Sequence, residues 1–352
     1  MSIKNSSPSM KVLIIRFSSF GDIVASLSLA TAIKNNYPRA EVHWVTREDY
    51  AEMAQCSKQV AKVWSLKRKK GLRELIHLAQ ELKKENFTHI YDAHNNTRSR
   101  FISLWLVGPF QIFSLFNNIK FIRRSQFRWK RFLLFNFHIS LYPKPFTLQF
   151  ALLEPLSPWG ISSTPPEAPL FQVPKKASDK IKPLLKRESQ NLIALSPSAS
   201  YSLKRWPKEH WIKLIEQFPD AYFYLLGGPE DTFIAEICSP YPDRTKNFAG
   251  QLSYLESAAV INECDLLISN DTGLMHVAEQ LDKPCIALMG PAPFGFPVRK
   301  KTKVLELELE CRPCSKHGQG PCTNSVFQKC LVEISPEMVS QEIHKILKGI
   351  KS

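Results

Sequence analysis

Residues 265–281 read DLLISNDTGLMHVAEQL, and this stretch decides the fold class. The apolar run Asp265–Ser269 predicts a buried strand, and Thr272–Leu281 has apolar residues at helical spacing. A strand that ends in a polar turn before a helix presents unpaired backbone N–H groups and the positive end of the helix dipole. Such a turn favours an anion, above all a phosphate. We expect Asp271 to be the N-cap and Gly273 to let a ligand approach the backbone, with an ordinary capped turn as the alternative.

Strand and helix patterns alternate on both sides of this stretch. The alternation predicts an α/β protein with two doubly wound, Rossmann-like domains that face one another across a cleft. The domains are predicted at 10–153 and 175–334, joined by a proline-rich linker over 154–174. Residues 335–352 are predicted to form a C-terminal helix, with packing back on the first domain as one option. The predicted strands are Lys11–Arg16, Glu41–Thr46, Val60–Leu66, Thr88–Ala93, Gln111–Leu115, Asn191–Ser196, Ala221–Leu226, Asp265–Ser269 and Cys285–Met289.

Composition narrows the class of protein. The chain of 352 residues is 44% hydrophobic and 22% charged, which is typical of a soluble globular protein. Met1–Met10 lacks the apolar core of a signal peptide and Met10 can serve as a second start, so we expect no secretion and a dispensable tail over residues 1–9. No window has the roughly 18 apolar residues of a spanning helix. The net charge of +15 predicts a polyanionic partner, which can be nucleic acid, an anionic bilayer surface or a phosphorylated glycolipid.

Four of the eight cysteines cluster near the C-terminus, at Cys311, Cys314, Cys322 and Cys330. One CxxC pair followed by two single cysteines is a weak indication of a structural zinc site. The alternative, which we favour, is a cysteine-rich loop packed on the domain, and we expect no metal or other cofactor to be required.

Four polar turns carry the candidate chemistry. Asp22 follows a glycine after the first predicted strand, where it can act as a general base toward a hydroxyl or as an acidic helix cap. In the second half, the turn 196–207 has several hydroxyls and Lys204, which suits a diphosphate. Glu230 ends a Gly-Gly-Pro-Glu turn and can hold sugar hydroxyls. Because the turns at 196, 227 and 270 follow strands of one domain, they should converge at one edge of its sheet.

A basic, aromatic segment spans residues 120–137, with six cations and no acid. This composition favours a loop and helix that meet an anionic lipid headgroup or a phosphorylated sugar, with nucleic acid as the alternative. His94 and Arg98 follow another predicted strand and can reach the same cleft. Arg98 opens a helix, where its charge opposes the helix dipole, and this mild cost suggests a ligand.

The chain resembles the ADP-heptose:lipopolysaccharide heptosyltransferases of glycosyltransferase family 9. The resemblance rests on Ser-Phe-Gly-Asp at 19–22, Lys-Arg-Trp-Pro-Lys-Glu-His-Trp at 204–211, and Ser-Asn-Asp-Thr-Gly-Leu-Met-His at 269–276. It implies a GT-B fold, an ADP-heptose donor held by the C-terminal domain, and inversion by a single displacement. It also implies a phosphorylated lipid A–Kdo acceptor in the inner core of lipopolysaccharide, reached by a cytoplasmic protein that is peripheral on the inner face of the inner membrane, and no nucleic-acid partner.

The resemblance assigns roles to particular residues. Asp22 is the catalytic base. The donor-binding residues are expected to be Ser198, Lys204, Glu230, Asp271, Thr272, Gly273, Leu274 and His276. The acceptor-binding residues are expected to be Ser19, Gly21, Arg98, Lys120, Arg123, Arg124 and Arg128. Two alternatives stay open: a transferase or epimerase acting on another nucleotide sugar, and a non-catalytic binder of nucleic acid or membrane.

Overall fold

The computed structural model describes residues 10–67, 71–108, 119–186 and 191–351. The chain divides into two compact units. One unit contains the residues up to Phe127 together with Gln149–Phe171, and the other contains Arg128–Leu148 together with the chain from Gln172 onward. The predicted strand Gln111–Leu115 and the predicted tail over residues 1–9 lie outside the described residues.

The first unit is built on a five-stranded parallel sheet in the order β3-β2-β1-β4-β5. Its strands are β1 (Lys11–Ile15), β2 (Glu41–Arg47), β3 (Lys62–Leu66), β4 (His89–Asp92) and β5 (Lys120–Arg123). The strand order reverses between β1 and β4, which is the predicted doubly wound arrangement. β1 is mostly apolar, and both β1 and β2 are buried over most of their length, as expected for central strands covered on both faces.

Helices connect these strands. They are α1 (Phe20–Asn36), α2 (Ala51–Gln55), α3 (Gly71–Lys84) and α4 (Thr97–Val107). In α3, Leu75, Leu78, Ala79 and Leu82 are buried because they recur at helical spacing on one face. Residues 120–123, which the sequence analysis placed in a loop and helix, form the edge strand β5, where half-buried positions tolerate the cations that hide the strand pattern.

The segment after β5 belongs with the second unit, although the sequence analysis placed it in the first domain. It contains α5 (Arg128–Phe137), so the predicted acceptor residue Arg128 is in the second unit as well. Phe296 explains this placement, because its backbone exchanges hydrogen bonds with Phe146 and Leu148. α6 (Leu148–Leu153) follows, and the first prolines of the predicted linker lie in a 3-10 helix, Glu154–Trp159, of the first unit.

The second unit is built on a six-stranded parallel sheet in the order β11-β10-β9-β6-β7-β8. Its strands are β6 (Asn191–Ser196), β7 (Ala221–Leu225), β8 (Thr245–Asn247), β9 (Leu266–Asn270), β10 (Cys285–Leu288) and β11 (Thr302–Leu305). β8 and β11 were not predicted from the sequence. Both are short edge strands with polar residues, so they lack the apolar run that marks a buried strand.

The helices of the second unit are α7 (Lys175–Ile181), α8 (Lys208–Glu216), α9 (Ile234–Cys238), α10 (Tyr254–Glu263), α11 (Gly273–Gln280), α12 (Lys329–Val332) and α13 (Pro336–Lys351). The C-terminal helix α13 starts at the predicted proline. Its Val339, Ile343 and Leu347 pack into the core beside Trp211 of α8, so its apolar face is covered within the second unit. In the described ranges, no helix is long and apolar enough to cross a membrane.

Candidate active site

The turn between β1 and α1 holds Asp22 in a capping box and an ion pair. Oδ2 of Asp22 accepts hydrogen bonds from the Ser19 backbone N–H at 3.1 Å and from the Ser19 hydroxyl at 2.8 Å. Oδ1 lies 2.8 Å from a guanidinium nitrogen of Arg16. Ser19 caps α1 and Gly21 lies in its first turn, next to Asp22. Asp22 therefore does act as a helix cap, which was the alternative to its role as a base. However, 29% of its side chain is exposed, so a ligand can still contact it.

Electrostatics keep Asp22 ionised. Burial by itself raises the pKa of Asp22, but the Arg16 guanidinium, the Ser19 hydrogen bonds and the charge of Arg124 outweigh burial and hold this pKa well below its usual range. Arg16 is buried and donates to the Ala93 carbonyl at 2.7 Å, which fixes it beside Asp22. Arg16 was not predicted as a site residue, although a cation directly after an apolar strand was an available signal.

The turn after β4 adds a half-buried histidine near Asp22. The ring of His94 meets that of Phe17 edge-on, with centroids 5.8 Å apart. Burial lowers the pKa of His94 to about 4 and the charge of Arg16 acts in the same direction, so the ring is neutral at pH 7. Among the described residues, Nδ1 of His94 has no hydrogen-bond partner. A buried nitrogen without a partner is costly, so a water or ligand atom is the natural partner here.

Asp92 organises the same turn from the end of β4. It is fully buried, and Oδ1 accepts the backbone N–H groups of His94 at 3.2 Å and Asn95 at 2.7 Å. Oδ2 lies 3.0 Å from Nε of Arg123, which neutralises the buried carboxylate. Arg123 is thus paired with Asp92 inside the first unit. The positive charge of Arg124 helps to lower the pKa of Asp22.

The predicted acceptor residues Arg98 and Lys120 lie on α4 and β5. Arg98 is exposed in the first turn of α4 and lines a cavity of about 310 Å³ with Arg47 and several apolar side chains. Lys120 begins β5 and pairs in register with His89 at the amino ends of their strands. The turn that carries Asp22 follows β1 at the carboxyl edge of the sheet. That edge lies about 10 Å along the strands from the level of Lys120. The structure therefore does not group Lys120 with Asp22, because the predicted site lies at the opposite edge.

The second sheet brings three polar turns to one edge, as predicted. β9, β6 and β7 are neighbours, and the strand order reverses between β6 and β9, which is where α/β sheets bind ligands. Ser196 ends β6, and its hydroxyl lies 3.5 Å from that of Thr272, which follows β9. Ser198, Gly273 and Leu274 are half-buried at the same edge.

Lys204 and Asp271 form an ion pair at this edge, with 2.6 Å between Nζ and Oδ2. Only 15% and 12% of their side chains are exposed, so water screens the pair weakly. Asp271 was predicted to be the N-cap of α11, but α11 begins at Gly273 and its N-cap is Thr272. In the described part of the chain the Thr272 side chain makes no capping hydrogen bond, since its hydroxyl lies 3.2 Å from that of Ser269. The first N–H groups of α11 thus suit an anion beside a lysine.

Asn270, which the sequence analysis did not single out as a functional residue, ties these turns together. It is fully buried, and its side-chain oxygen accepts the Trp206 N–H at 3.1 Å while its amide donates to the Pro197 carbonyl at 2.7 Å. These bonds fix both ends of the loop that carries Ser198 and Lys204. A polar residue at a strand end looks like any turn residue in sequence, so this role has no distinct signal.

The turn after β7 has an exposed and a buried carboxylate. Glu230 is exposed, and its carboxylate lies over Gly228, where an added Cβ would be 2.7–2.8 Å from the carboxylate atoms. Asp231 is buried, accepts the Gly228 N–H at 2.8 Å and lies 3.1 Å from Arg205. Arg205 also donates to the Ala199 carbonyl, which joins this turn to the loop after β6. Asp231 therefore anchors the turn, and Glu230 is left to face solvent.

His276 is held from inside the unit. Its Nδ1 lies 2.9 Å from Oε2 of the fully buried Glu279. The other Glu279 oxygen accepts the backbone N–H groups of Val298 at 2.6 Å and Arg299 at 3.0 Å. Since 7% of the His276 side chain is exposed, a ligand can meet only one edge of the ring.

The four clustered cysteines are free thiols. Within the described residues, which include all four, no three His, Cys, Asp or Glu side chains are grouped as a metal site. The Asn324 amide donates to Sγ of Cys311 at 3.4 Å, and the Gln328 N–H donates to Sγ of Cys322 at 3.3 Å. Cys330 packs in the core, where burial raises the pKa of its thiol to about 11. Because the thiolate is the metal ligand, this environment gives the zinc prediction no support.

Two doubly wound parallel sheets with polar turns at their carboxyl edges define an α/β protein of the nucleotide-binding type. Residues 75–321 match the family model of Glycosyltransferase family 9 (heptosyltransferase), and the chain belongs to this family. It is therefore a glycosyltransferase, and the resemblance drawn from the motifs is confirmed.

Individual relatives agree with this assignment. Lipooligosaccharide heptosyltransferase 2 of Haemophilus ducreyi is 27% identical over 96% of this chain and 99% of its own length. Lipopolysaccharide heptosyltransferase 2 of Salmonella typhimurium is 30% identical, but the match covers 44% of this chain and 47% of that protein, so the chain matches about half the length of this relative. The solved ADP-heptose lps heptosyltransferase II of E. coli superposes with a TM-score of 0.72 at 21% identity, covering 97% of this chain and 100% of that one. This superposition confirms the predicted GT-B type of fold.

Proposed function

We propose that this protein transfers a heptose from ADP-heptose to the inner core of lipopolysaccharide, with inversion at the anomeric carbon. The observation that carries the proposal is the Lys204–Asp271 pair beside the start of α11, at the switch point of the second sheet. A cation next to helix N–H groups suits a diphosphate better than a neutral ligand. The names of the relatives in Haemophilus ducreyi, Salmonella typhimurium and E. coli support the choice of donor and acceptor.

The second unit is proposed to bind the donor. The ammonium group of Lys204 interacts with the diphosphate as well as with Asp271. The backbone N–H groups of Gly273 and Leu274 donate hydrogen bonds to the same diphosphate. Ser198 and Thr272 add hydroxyl donors, the exposed carboxylate of Glu230 takes the ribose hydroxyls, and Asp271 and His276 contact the heptose. Stabilising the charge of the departing ADP is the larger part of catalysis, because fixed donors and cations need no reorganisation as that charge develops.

The first unit is proposed to supply the base. As the acceptor oxygen bonds to the anomeric carbon, the bond from that carbon to the diphosphate oxygen breaks, ADP leaves with the electron pair, and Asp22 takes the acceptor proton. The low pKa of Asp22 makes it a weak base toward a free hydroxyl. The proton should therefore move late, once bonding to the anomeric carbon has made the hydroxyl acidic. His94 and Arg124 are the further groups near Asp22, and Ser19 and Gly21 form the turn that an acceptor would meet.

The acceptor is proposed to be the phosphorylated lipid A–Kdo core, met by a protein that is cytoplasmic and peripheral on the inner face of the inner membrane. The net charge of +15 supports an anionic acceptor and surface. The exposed Arg98 and its neighbour Arg47 line a cavity in the first unit that also has apolar walls, as a glycolipid would require.

Mass spectrometry of a purified core acceptor tests the function. After incubation with ADP-heptose and the protein, the acceptor should gain the mass of one heptose, and ADP should appear in equal amount. A parallel incubation with other nucleotide sugars controls for the donor. Transfer from one of these and none from ADP-heptose would contradict the proposed donor, whereas epimerised nucleotide sugar without acceptor modification would contradict transfer.

A further inference from the structure

We propose that residues 128–141, comprising α5 and the loop after it, form a docking surface that inserts aromatic side chains into an anionic bilayer surface. The proposal deepens the proposed function by naming the part of the chain that meets the membrane. The docking surface rests on the proposed function in one respect: a membrane is chosen as the partner because the proposed acceptor is a lipid.

The outward face of α5 is rich in exposed aromatic side chains, with Asn136 and Arg128 also exposed on the helix. Trp129 and Phe132 lie three residues apart on α5 and are each 58% exposed. Phe137, the last residue of α5, is 59% exposed, and its ring centroid lies 5.8 Å from that of Phe132. Ile139 and Leu141 continue the exposed apolar run in the loop, at 51% and 45%. A surface helix of a globular protein usually turns its polar face to solvent, so these exposed aromatic and aliphatic side chains indicate an interaction site.

The opposite face of the docking surface is anchored, so the exposure does not come from a loosely held helix. Leu134 is buried, and the Phe135 ring packs edge-on to Phe294 with centroids 6.2 Å apart. After the loop, Tyr142 and Phe146 also meet Phe294, at 5.2 and 5.3 Å. The second unit therefore holds the helix by one face and presents the other.

Charge selects the partner. Residues 93–153 contain nine Lys or Arg and no Asp or Glu. Arg128 begins the docking surface and Lys144 follows it in the chain, and both are exposed; Lys130 lies over the Trp129 ring at 5.7 Å. Aromatic side chains surrounded by cations fit the boundary between acyl chains and phosphate headgroups. A second copy of the chain fits poorly, because it would bring the same cations against each other.

Sedimentation with vesicles tests the proposal without any substrate. Vesicles of phosphatidylcholine with about one-third phosphatidylglycerol should bind the native protein, and neutral phosphatidylcholine should bind it weakly, because each cation near the surface adds about fivefold. Trp129→Ala and Phe132→Ala should each lower the partition coefficient by about tenfold, from the apolar area they no longer bury. Phe327→Ala is the matched control, since this side chain is 63% exposed outside the docking surface, and it should leave partitioning unchanged.

Equal partitioning of native protein and Trp129→Ala, or equal binding to neutral and anionic vesicles, would overturn the proposal. A change of sedimentation coefficient in Trp129→Ala would also overturn it, because the patch would then be a contact between copies. Heptosyl transfer to a deacylated, water-soluble core acceptor keeps the two proposals distinguishable. Failure of transfer by the native protein counts against the proposed function alone, and failure of vesicle binding counts against the docking surface alone.

Discussion

Replacing Lys204 by alanine should weaken ADP binding by about thirtyfold. At 4 Å and an effective dielectric constant of about 20, two unit charges attract by about 4 kcal/mol. Lys204 is already paired with Asp271 at 2.6 Å, so the diphosphate gains only part of this energy. If the diphosphate gains about half of this attraction, the loss on substitution is about 2 kcal/mol of binding free energy, which raises the Kd for ADP roughly thirtyfold. The Asp271 carboxylate left behind also repels the diphosphate, so thirtyfold is the lower bound.

Isothermal titration with ADP measures this effect without catalysis. The double variant Lys204→Ala with Asp271→Ala should recover part of the lost affinity, because it removes the uncompensated carboxylate. Lys208→Ala is the matched control, since Lys208 is also paired with a carboxylate, Glu236, and should leave the Kd within twofold of the native value. A Kd within twofold for Lys204→Ala itself would refute the assignment of the diphosphate to this pair.

Three further perturbations test the site. Asn270→Ala should lower the free energy of unfolding by about 3 kcal/mol in urea titrations, because two buried backbone groups lose their partners, and an unchanged midpoint would count against this. Gly228→Ala should displace the flexible Glu230 carboxylate, weakening ADP binding while changing stability by less than about 1 kcal/mol; tighter binding would argue against a ribose contact. His94 has a pKa lowered from 6.5 to about 4, so its contribution to stability is complete above pH 6.5 and is lost as the pH falls toward 4. His94→Gln should flatten the dependence of unfolding free energy on pH in that window, whereas the exposed His77→Gln should not.

The sheet strands with apolar runs could be predicted because burial on both faces imposes a continuous apolar sequence. The edge strand Lys120–Arg123 could not, since its cations hide a pattern that only pairing with β4 reveals. The placement of residues 128–148 also escaped prediction. It depends on contacts with Phe294 and Phe296, about 150 residues away in the chain, and no local signal encodes them.

The turns of the candidate site were predictable as turns, because parallel strands of one sheet end at a common edge. Their internal partners were not. Thr272 rather than Asp271 is the N-cap of α11, Asp271 pairs with Lys204, and Arg16 pairs with Asp22 across the turn between β1 and α1. Side-chain pairing of this kind depends on geometry in three dimensions, whereas the sequence gives only residue type and spacing.

The rate of heptosyl transfer by Asp22→Asn, measured in a single turnover with saturating ADP-heptose, tests the proposed mechanism most directly. Loss of the base should lower the rate by about 10²–10⁴-fold, while titration shows an unchanged Kd for ADP. Glu306→Gln removes another carboxylate that is paired with an arginine, Arg312, and serves as the control for general charge effects. Transfer by Asp22→Asn at the native rate would contradict the assignment of Asp22 as the base.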